Sequence, residues 1–300
     1  MSGRSAPVLL VGCGKMGGAL LAGWLARGTA GPEAPVVIVE PADASTASFR
    51  GKAGVTIVAE AAQLPADISP PVVVFAVKPQ AMDGIVPAYR PFAGRGTCFL
   101  SIAAGRPIRY FQQHLGPEAA IVRAMPNTPA AVGRGITVAC GNPNVSDAQR
   151  ALCTELLAAV GEVAWIADEK LLDPVTAVSG SGPAYVFLLA ETLAEAGRAA
   201  GLPQDLAMRL ARATVTGSGE LLHRAAEPAD QLRRNVTSPG GTTAAALEIL
   251  MPRRGGLAAL MTRAIAAATR RSRELARPGA AAKKPATKRP PKRRPPKKKW

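Results

Sequence analysis

Short apolar runs punctuate the first half of the chain, and each is too short for a buried helix. The runs lie at residues 8–11, 36–40, 55–58, 72–77, 99–102 and 121–124. Most are rich in Val and Ile, and helix-length segments separate them, the first at residues 16–26. Runs of this kind, alternating with helical segments, predict βαβ units and an α/β domain with a mostly parallel sheet.

The pattern changes after about residue 166, where strand-like runs stop and apolar positions recur at helical spacing. In residues 183–200, Val186, Leu189 and Leu193 fall on one face, and Pro183 stands where a helix would begin. Further helices are predicted at about 203–223, 243–250 and 256–275. The second half is therefore expected to be all-helical. Its frequent Ala, Gly and Thr suit close packing, either within one chain or against a second copy.

Charge divides the chain once more. The formal net charge is +16, yet residues 277–300 hold eleven Lys or Arg and no acidic residue, so the first 276 residues carry 26 basic and 21 acidic groups, or +5. This Lys-, Arg- and Pro-rich tail has too little apolar content to form a core and is expected to be disordered. The predicted units are an α/β domain at 1–166, a helical domain at 167–276 and a basic tail at 277–300.

Composition narrows the class of protein. Apolar residues make up 48% of the chain, so a core is expected. The four cysteines have no C-x-x-C spacing and there are two histidines, so no metal site is expected. We expect reduced thiols in a cytoplasmic protein. The N-terminus does not resemble a signal peptide, and no stretch is apolar and long enough to span a membrane.

A glycine motif follows the first predicted strand and opens the first predicted helix. It reads G-x-G-x-x-G, with Gly12, Gly14 and Gly17 as its glycines and Lys15 and Met16 between them. In this context the first glycine permits a tight turn, the second lets backbone approach a pyrophosphate and the third lets helix and strand pack closely. The helix N-terminus would hold the pyrophosphate. An accidental glycine loop is the alternative.

Glu40 ends the second predicted strand, where a carboxylate usually bonds the ribose 2′-hydroxyl of a dinucleotide and repels a 2′-phosphate. This position favours NADH. If Pro41 instead turns Glu40 away, Arg50 and Lys52 offer positive charge to NADPH. A surface carboxylate at a strand end remains a third interpretation, and the choice between NADH and NADPH stays open.

Val77, Lys78 and Pro79 follow the fourth predicted strand at its carboxyl end. Ligands of open α/β sheets bind at this edge. We therefore count these three residues among the candidate cofactor contacts. Lys78 would meet the cofactor ribose or a negatively charged substrate, and the alternative is a solvated loop lysine.

Four further blocks identify a family. They read SIAAG at 101–105, RAMPNTP at 123–129, DPVTAVSGSGPAY at 173–185 and NVTSPGGTTA at 235–244. In this order and spacing the chain resembles pyrroline-5-carboxylate reductases over roughly residues 8–275, and the last block is the most specific. The basic tail has no counterpart in the resemblance.

The resemblance implies a Rossmann-type N-terminal domain and a helical C-terminal domain that dimerises. The activity implied is hydride transfer from NADPH or NADH to the C=N bond of 1-pyrroline-5-carboxylate, which gives L-proline in the last step of proline biosynthesis. The substrate, a small cyclic imine, would lie between one subunit's cofactor domain and its partner's helices. Some members of the family assemble their dimers into decamers.

The block at 238–243 holds most of the candidate substrate contacts. Because it leads into a predicted helix, its backbone N–H groups would form a carboxylate pocket, with Gly240 and Gly241 giving close access and Ser238 and Thr242 beside them. The resemblance implies that the Thr243 hydroxyl lies near the ring nitrogen as the catalytic group. Thr242 or Thr243 acting simply as a helix N-cap is the alternative.

The remaining candidates carry weaker patterns. Ser179 and Ser181 precede a helix as a cap and turn, and the resemblance places them in the wall that faces the substrate. Asn127 follows a strand and is expected at the nicotinamide end of the cofactor site. Met125 would pack on the nicotinamide ring or in the core. His114 and His223 match no motif and are taken as structural or surface residues.

Other functions share parts of this pattern. A reductase of a related cyclic imine needs the same motifs. β-Hydroxyacid dehydrogenases and 6-phosphogluconate dehydrogenase share this order of domains but use a helical lysine, whereas the helix from Pro183 offers Glu191, Glu195 and Arg198. A non-enzymatic alternative is nucleic-acid binding through the tail, which would be salt-sensitive and blind to sequence.

Overall fold

The computed structural model describes residues 6–276. Eight strands form one sheet in these residues. They are β1 (Val8–Val11), β2 (Val36–Val39), β3 (Val55–Val58), β4 (Val72–Phe75), β5 (Cys98–Ser101), β6 (Ala120–Met125), β7 (Gly135–Gly141) and β8 (Gly161–Trp165). We call residues 6–166, which contain the sheet, the sheet half and residues 167–276 the helical half.

The strand order is β3-β2-β1-β4-β5-β6-β7-β8. Strands β1 to β6 are parallel to one another, β7 is antiparallel to β6, and β8 is parallel to β7. Because the chain builds outward in both directions from β1 and β4, the carboxyl ends of these two strands flank a topological switch point, where open α/β sheets bind ligands.

Eleven α-helices lie within the described residues. They are α1 (Lys15–Arg27), α2 (Asp43–Thr46), α3 (Met82–Ile85), α4 (Ile108–Leu115), α5 (Asp147–Ala158), α6 (Leu172–Val175), α7 (Gly182–Ala199), α8 (Gln204–Arg224), α9 (Ala229–Asn235), α10 (Thr242–Leu250) and α11 (Leu257–Leu275). A π-helical segment, Thr176–Gly180, joins α6 to the turn before α7. None of the helices within residues 6–276 has the length and apolar content that crossing a membrane requires.

Two apolar clusters, one on each face of the sheet, form the core of the sheet half. On one face α1 and α5 bury Leu20, Trp24 and Leu157, and the Trp24 indole N–H donates to the Leu156 carbonyl at 2.7 Å. On the other face aromatic rings pack edge-on and stacked, with centroids 5.3–6.2 Å apart; they belong to Phe75, Tyr89, Phe99 and Phe111. Because successive side chains of a strand point to opposite faces of the sheet, each strand contributes apolar side chains to both clusters.

The helical half packs differently. Its helices α7 and α8 form a hairpin that brings small residues together, with Ala194, Ala207 and Ala211 buried at the contact. Most of its large apolar side chains stay exposed in the single chain, and Phe187 (64%) and Ile249 (77%) are among them. The apolar stripe predicted on residues 183–200 therefore exists, but its own chain leaves it largely uncovered.

Several polar contacts join the halves, and those of Glu169 include a buried partner. The Glu169 carboxylate, at the start of the helical half, accepts from Arg123 Nη1 on β6 and from the Ile108 backbone N–H, both at 2.8 Å. In the helical half, the Ser272 hydroxyl on α11 donates to the Asp173 carboxylate at 2.7 Å and holds the last helix against α6. The Arg123 side chain is almost fully buried, so Glu169 neutralises a charge in the interior.

Most predicted elements are confirmed, with shifted ends, but the sheet is larger than predicted. Strands β7 and β8 fall in residues for which no strand was predicted, and the antiparallel pairing of β6 with β7 departs from the parallel pattern. Helix α9 was also missed. The predicted basic tail, residues 277–300, lies outside the described residues.

Candidate functional site

The glycine motif forms the connection from β1 to α1. Gly12 has φ +93°, and a Cβ there would lie 2.7 Å from Val77 Cγ1. A Cβ on Gly17 would lie 2.3 Å from the Gly12 carbonyl oxygen, so this glycine lets the helix sit against the loop. A Cβ on Gly14 would meet nothing within 4 Å, and no side chain caps α1 there. The loop thus presents open space in front of free N–H groups, which fits a pyrophosphate.

A cleft of about 760 Å³ opens beside this loop at the switch point. It is lined from the carboxyl ends of β1 to β4, and its lining includes Gly12, Gly14, Glu40, Val77 and Lys78. The sheet thus brings together five of the ten predicted cofactor contacts. Lys15, Met16, Gly17, Pro79 and Asn127 are not among the residues that line the cleft. Its size and its glycine cradle suit the adenosine and pyrophosphate of a dinucleotide.

Glu40 faces the glycine loop. Its Oε2 accepts from the Cys13 N–H at 2.8 Å, and its Oε1 accepts from the Ala42 N–H at 2.9 Å. The interpretation in which Pro41 turns Glu40 away is therefore wrong. Burial, and secondly the Glu40 carboxylate, raise the pKa of Cys13 to about 11, so this thiol stays protonated at neutral pH. Arg50, the alternative phosphate contact, is exposed and forms an ion pair with Asp43.

Arg106 supports the loop after β4 and is absent from the residues that the sequence pattern singled out. Its Nε and Nη2 donate to the Pro79 carbonyl at 3.1 and 2.8 Å, and its Nη2 lies 3.2 Å from Asp83. Its guanidinium also stacks 4.5 Å from the Tyr110 ring centroid. Pro79 thus takes part through its carbonyl in fixing the loop that presents Lys78. The position of Arg106 directly after the 101–105 block was the available signal.

The carboxyl end of β6 connects to the helical half. The Asn127 Oδ1 accepts from the Ile136 N–H at 3.0 Å, so the side-chain oxygen holds the turn into β7 and the amide nitrogen is left for other contacts. The Met125 methyl lies 2.5 Å from where a Cβ on Gly180 would stand. Met125 therefore packs on the π-helical segment, and Gly180 makes room for it.

The π-helical segment positions the two candidate serines. The Ser179 hydroxyl donates to the Val175 carbonyl at 3.2 Å, the Ser181 N–H donates to the Thr176 carbonyl at 2.8 Å, and the Tyr185 hydroxyl donates to the Ala177 carbonyl at 3.1 Å. The π-turn is thus held at both ends. Neither serine lines the cleft of its own chain.

Residues 238–243 form a tight turn into α10. Gly240 has φ +69°, and a Cβ on Gly241 would lie 2.4 Å from Ser238 Oγ. Gly241 is the N-cap residue and no side chain caps the helix, so Thr242 and Thr243 stand inside its first turn. Their interpretation as N-caps is therefore wrong. The helix N-terminus stays open to an anion.

A second cavity, of about 1,010 Å³, lies between the sheet half and the α7–α8 hairpin. Arg134 and Glu162 line it from the sheet half, and Phe187, Arg212 and His223 line it from the helices. The 238–243 turn reaches neither this cavity nor the cleft within one chain. His114 bonds the Tyr110 carbonyl through Nδ1 at 2.9 Å. Across residues 6–276 no three His, Cys, Asp or Glu side chains cluster to hold a metal ion.

Comparison with known proteins assigns both halves. Residues 169–275 match the family profile described as pyrroline-5-carboxylate reductase dimerisation, and residues 7–105 match NADP oxidoreductase coenzyme F420-dependent. The chain is 40% identical over 270 residues to a pyrroline-5-carboxylate reductase of Pseudomonas aeruginosa, covering 90% of this chain and 96% of that relative.

Solved structures agree. A pyrroline-5-carboxylate reductase from Coxiella burnetii superimposes with a TM-score of 0.83 at 32% identity, over 92% of this chain and 100% of that one. A pyrroline carboxylate reductase of Plasmodium falciparum, solved with NADP bound, gives 0.74 at 29% identity, over 91% and 99%. Because such relatives span nearly the whole chain and the dimerisation profile covers its helical half, the chain belongs to the pyrroline-5-carboxylate reductase family.

Proposed function

We propose that this chain reduces 1-pyrroline-5-carboxylate to L-proline with NADH or NADPH, the last step of proline biosynthesis. One observation carries the proposal: a dinucleotide cleft and the dimerisation domain of this reductase family occur in one chain at family-like spacing. A reduced nicotinamide bound in the cleft supplies the hydride that adds to the imine carbon. The imine nitrogen takes a proton, and the product is a secondary amine.

The protein's own residues bind and orient the reactants. Gly12, Gly14, Lys15, Met16 and Gly17 hold the pyrophosphate at the start of α1. Glu40, Val77, Lys78 and Pro79 surround the adenosine, and Asn127 meets the nicotinamide end. Support for these roles comes from the open space at Gly14 and from the cleft lining.

The turn into α10 binds the substrate. The free N–H groups of the first turn of α10, which begins at Thr242, receive its carboxylate. Ser238, Gly240 and Gly241 form the turn that leads into this helix and gives the carboxylate close access to the backbone. The Thr243 hydroxyl donates to or accepts from the ring nitrogen and so orients the C=N bond. Ser179 and Ser181 form the facing wall. The uncapped N-terminus of α10 supports this assignment.

The complete site lies between two subunits. Within one chain the 238–243 turn does not line the cleft, and the apolar faces of the helical half are largely exposed, so a partner's helices complete the site. Assembly of dimers into decamers, a cytoplasmic location and salt-sensitive polyanion contact through residues 277–300 extend the proposal. Light scattering, cell fractionation and retention on heparin before and after deletion of the tail test these three extensions.

The test is turnover of 1-pyrroline-5-carboxylate by the purified dimer, followed by oxidation of NADH and of NADPH in parallel. We expect Thr243→Val to lower kcat roughly tens- to hundreds-fold, because the hydroxyl at the ring nitrogen is lost, and Thr243→Ser to recover most of it. Thr262→Val is the matched control, since the Thr262 hydroxyl bonds only the Ala258 carbonyl of its own helix, at 2.9 Å. No turnover with either cofactor from a folded dimer would refute the proposal.

A further inference from the structure

One wall of the cleft is built from short turns. It comprises residues 76–89, which follow β4, and its members Val77, Lys78 and Ile85 line the cleft. The α-helical part of this wall is the four-residue α3, and the rest is irregular chain and 3₁₀ turns. Such short turns have few hydrogen bonds of their own. Contacts from outside the wall must therefore determine where Lys78, the one cation among the lining residues within 6–276, is placed.

Arg106 supplies these contacts. Its Nε and Nη2 both donate to the Pro79 carbonyl, at 3.1 and 2.8 Å, and its Nη2 also donates to Asp83 Oδ2 at 3.2 Å. The two partners stand at either end of the turn that leads from Lys78 into α3. Because the Asp83 side chain is largely exposed, the ion pair contributes little. The two N–H groups that one guanidinium directs at a single carbonyl are the stronger contact, and they fix the direction of that carbonyl.

Arg106 is itself held in place behind the wall. It lies between β5 and α4, and its guanidinium stacks 4.5 Å from the ring centroid of Tyr110, which is buried on α4. Neither Arg106 nor Tyr110 lines the cleft. A guanidinium that is stacked and planar loses little freedom when it bonds the wall. The wall is thus tied to the buried region around β5 and α4 before a ligand enters, which lowers the ordering cost of binding.

We propose that Arg106 is a positioning residue for the cofactor. It keeps the wall of residues 76–89 in the conformation that receives the dinucleotide, and it does so through the Pro79 carbonyl without touching the ligand. The inference rests on the proposed cofactor use and deepens it, because it adds a residue outside the predicted cofactor contacts. The effect is expected in cofactor affinity. Since the wall is the same for either cofactor, ADP-ribose and its 2′-phosphorylated form should be affected alike.

Calorimetric titration of the full dimer with ADP-ribose and with 2′-phospho-ADP-ribose tests the inference without substrate or nicotinamide. Arg106→Met keeps an unbranched side chain but loses every donor, and should weaken each fragment that the wild-type protein binds by about tenfold. Arg106→Lys keeps the charge without the planar fork and should reduce this loss to about threefold. Arg150→Met is the matched control, since Arg150 stacks 4.4 Å from the Trp165 ring centroid and neither residue lines the cleft. It should leave both affinities within about twofold of wild type.

Thermal melting of the same proteins separates positioning from stability. A folded Arg106→Met dimer with a lowered Tm but wild-type fragment affinity overturns the inference, because Arg106 is then merely structural. A loss confined to the 2′-phosphorylated fragment overturns it too, because Arg106 would then be a phosphate ligand. If Arg106→Met does not fold, wild-type affinity in Arg106→Lys overturns it.

The cofactor site and the proposed function are tested separately by the same proteins. If the wild-type protein binds neither fragment, the cofactor site is wrongly placed and the inference fails with it. If the expected losses occur but 1-pyrroline-5-carboxylate is not reduced, the proposed function fails and the positioning role of Arg106 stands.

Discussion

The two halves of the chain treat their apolar residues in opposite ways. In the sheet half the large side chains, Trp24, Phe75 and Phe99 among them, are fully buried against helices of the same chain. In the helical half Phe187, Leu221 and Ile249 keep well over half of their surface exposed. The first half has a core of its own. The second presents long apolar helix faces of the kind that a second subunit covers.

The two parts of the candidate site also lie in different halves of the chain. The residues assigned to the cofactor lie in the sheet half, and those assigned to the substrate lie in the helical half. Since the 238–243 turn does not line the cleft of its own chain, a single chain has both parts of the site without joining them. Cofactor binding should therefore belong to the single subunit and catalysis to the assembly. Three substitutions separate these properties.

The largest effect is expected from Phe187→Asp, which places a charge on the exposed face of α7 beside the second cavity. It should give monomers in light scattering and lower activity by about a hundredfold or more, because the partner's substrate residues are lost. Binding of ADP-ribose should persist. Ala151→Asp, on the exposed side of α5, is the matched control. A fully active, dimeric Phe187→Asp protein would contradict the view that catalysis depends on the assembly of two subunits.

Glu169→Ala tests how firmly the halves are joined. The substitution leaves the buried Arg123 guanidinium and the Ile108 N–H without their acceptor. We expect the free energy of unfolding in urea to fall by about 3 kcal/mol. Asp230→Ala breaks the exposed ion pair with Arg234 on α9. It should change the free energy of unfolding by at most about 0.5 kcal/mol. If both variants lose a similar amount of unfolding free energy, Glu169 stabilises the protein no more than an exposed ion pair does.

The smallest effect is expected within the cofactor loop. Gly17→Ala places a Cβ 2.3 Å from the Gly12 carbonyl oxygen and should destabilise the sheet half by roughly 1–3 kcal/mol, with weaker ADP-ribose binding. Gly18→Ala places its Cβ no closer than 3.7 Å to the Cys13 carbonyl oxygen or to Phe49, so it should be tolerated. Thermal melting and calorimetry compare the two. If both variants keep the stability and the ADP-ribose affinity of the wild-type protein, Gly17 has no steric role in the loop.

Local patterns predicted the fold well where the structure is local. Strands β1 to β6 lie within two residues of their predicted ends, because short Val- and Ile-rich runs between helical segments have few other interpretations. Strand β7 was missed although its GITVACG sequence is apolar, and β8 offers only the short GEVAW. Helical periodicity correctly marked the apolar stripe of α7. Periodicity cannot predict what covers this apolar face of α7, because that depends on a second subunit.

In the candidate site, too, the local sequence predicts local conformation but not contacts between residues that lie far apart in the chain. The glycine loop could be predicted because its conformation depends on six consecutive residues. The direction of Glu40 depends on the Cys13 N–H, 27 residues earlier in the chain, and a contact over this separation cannot be predicted from the local sequence. Arg106 reaches Pro79 over the same separation; its place directly after the 101–105 block marks the residue, but the sequence does not indicate its partner.

The buried indole of Trp24 has a spectroscopic consequence. Trp24 and Trp165 both lie in the sheet half, and residues 167–276 contain no tryptophan. Native emission from the described residues therefore follows the sheet half, whereas far-ultraviolet circular dichroism follows the helices of both halves. Melting curves recorded by the two signals will coincide only if both halves unfold as one cooperative unit.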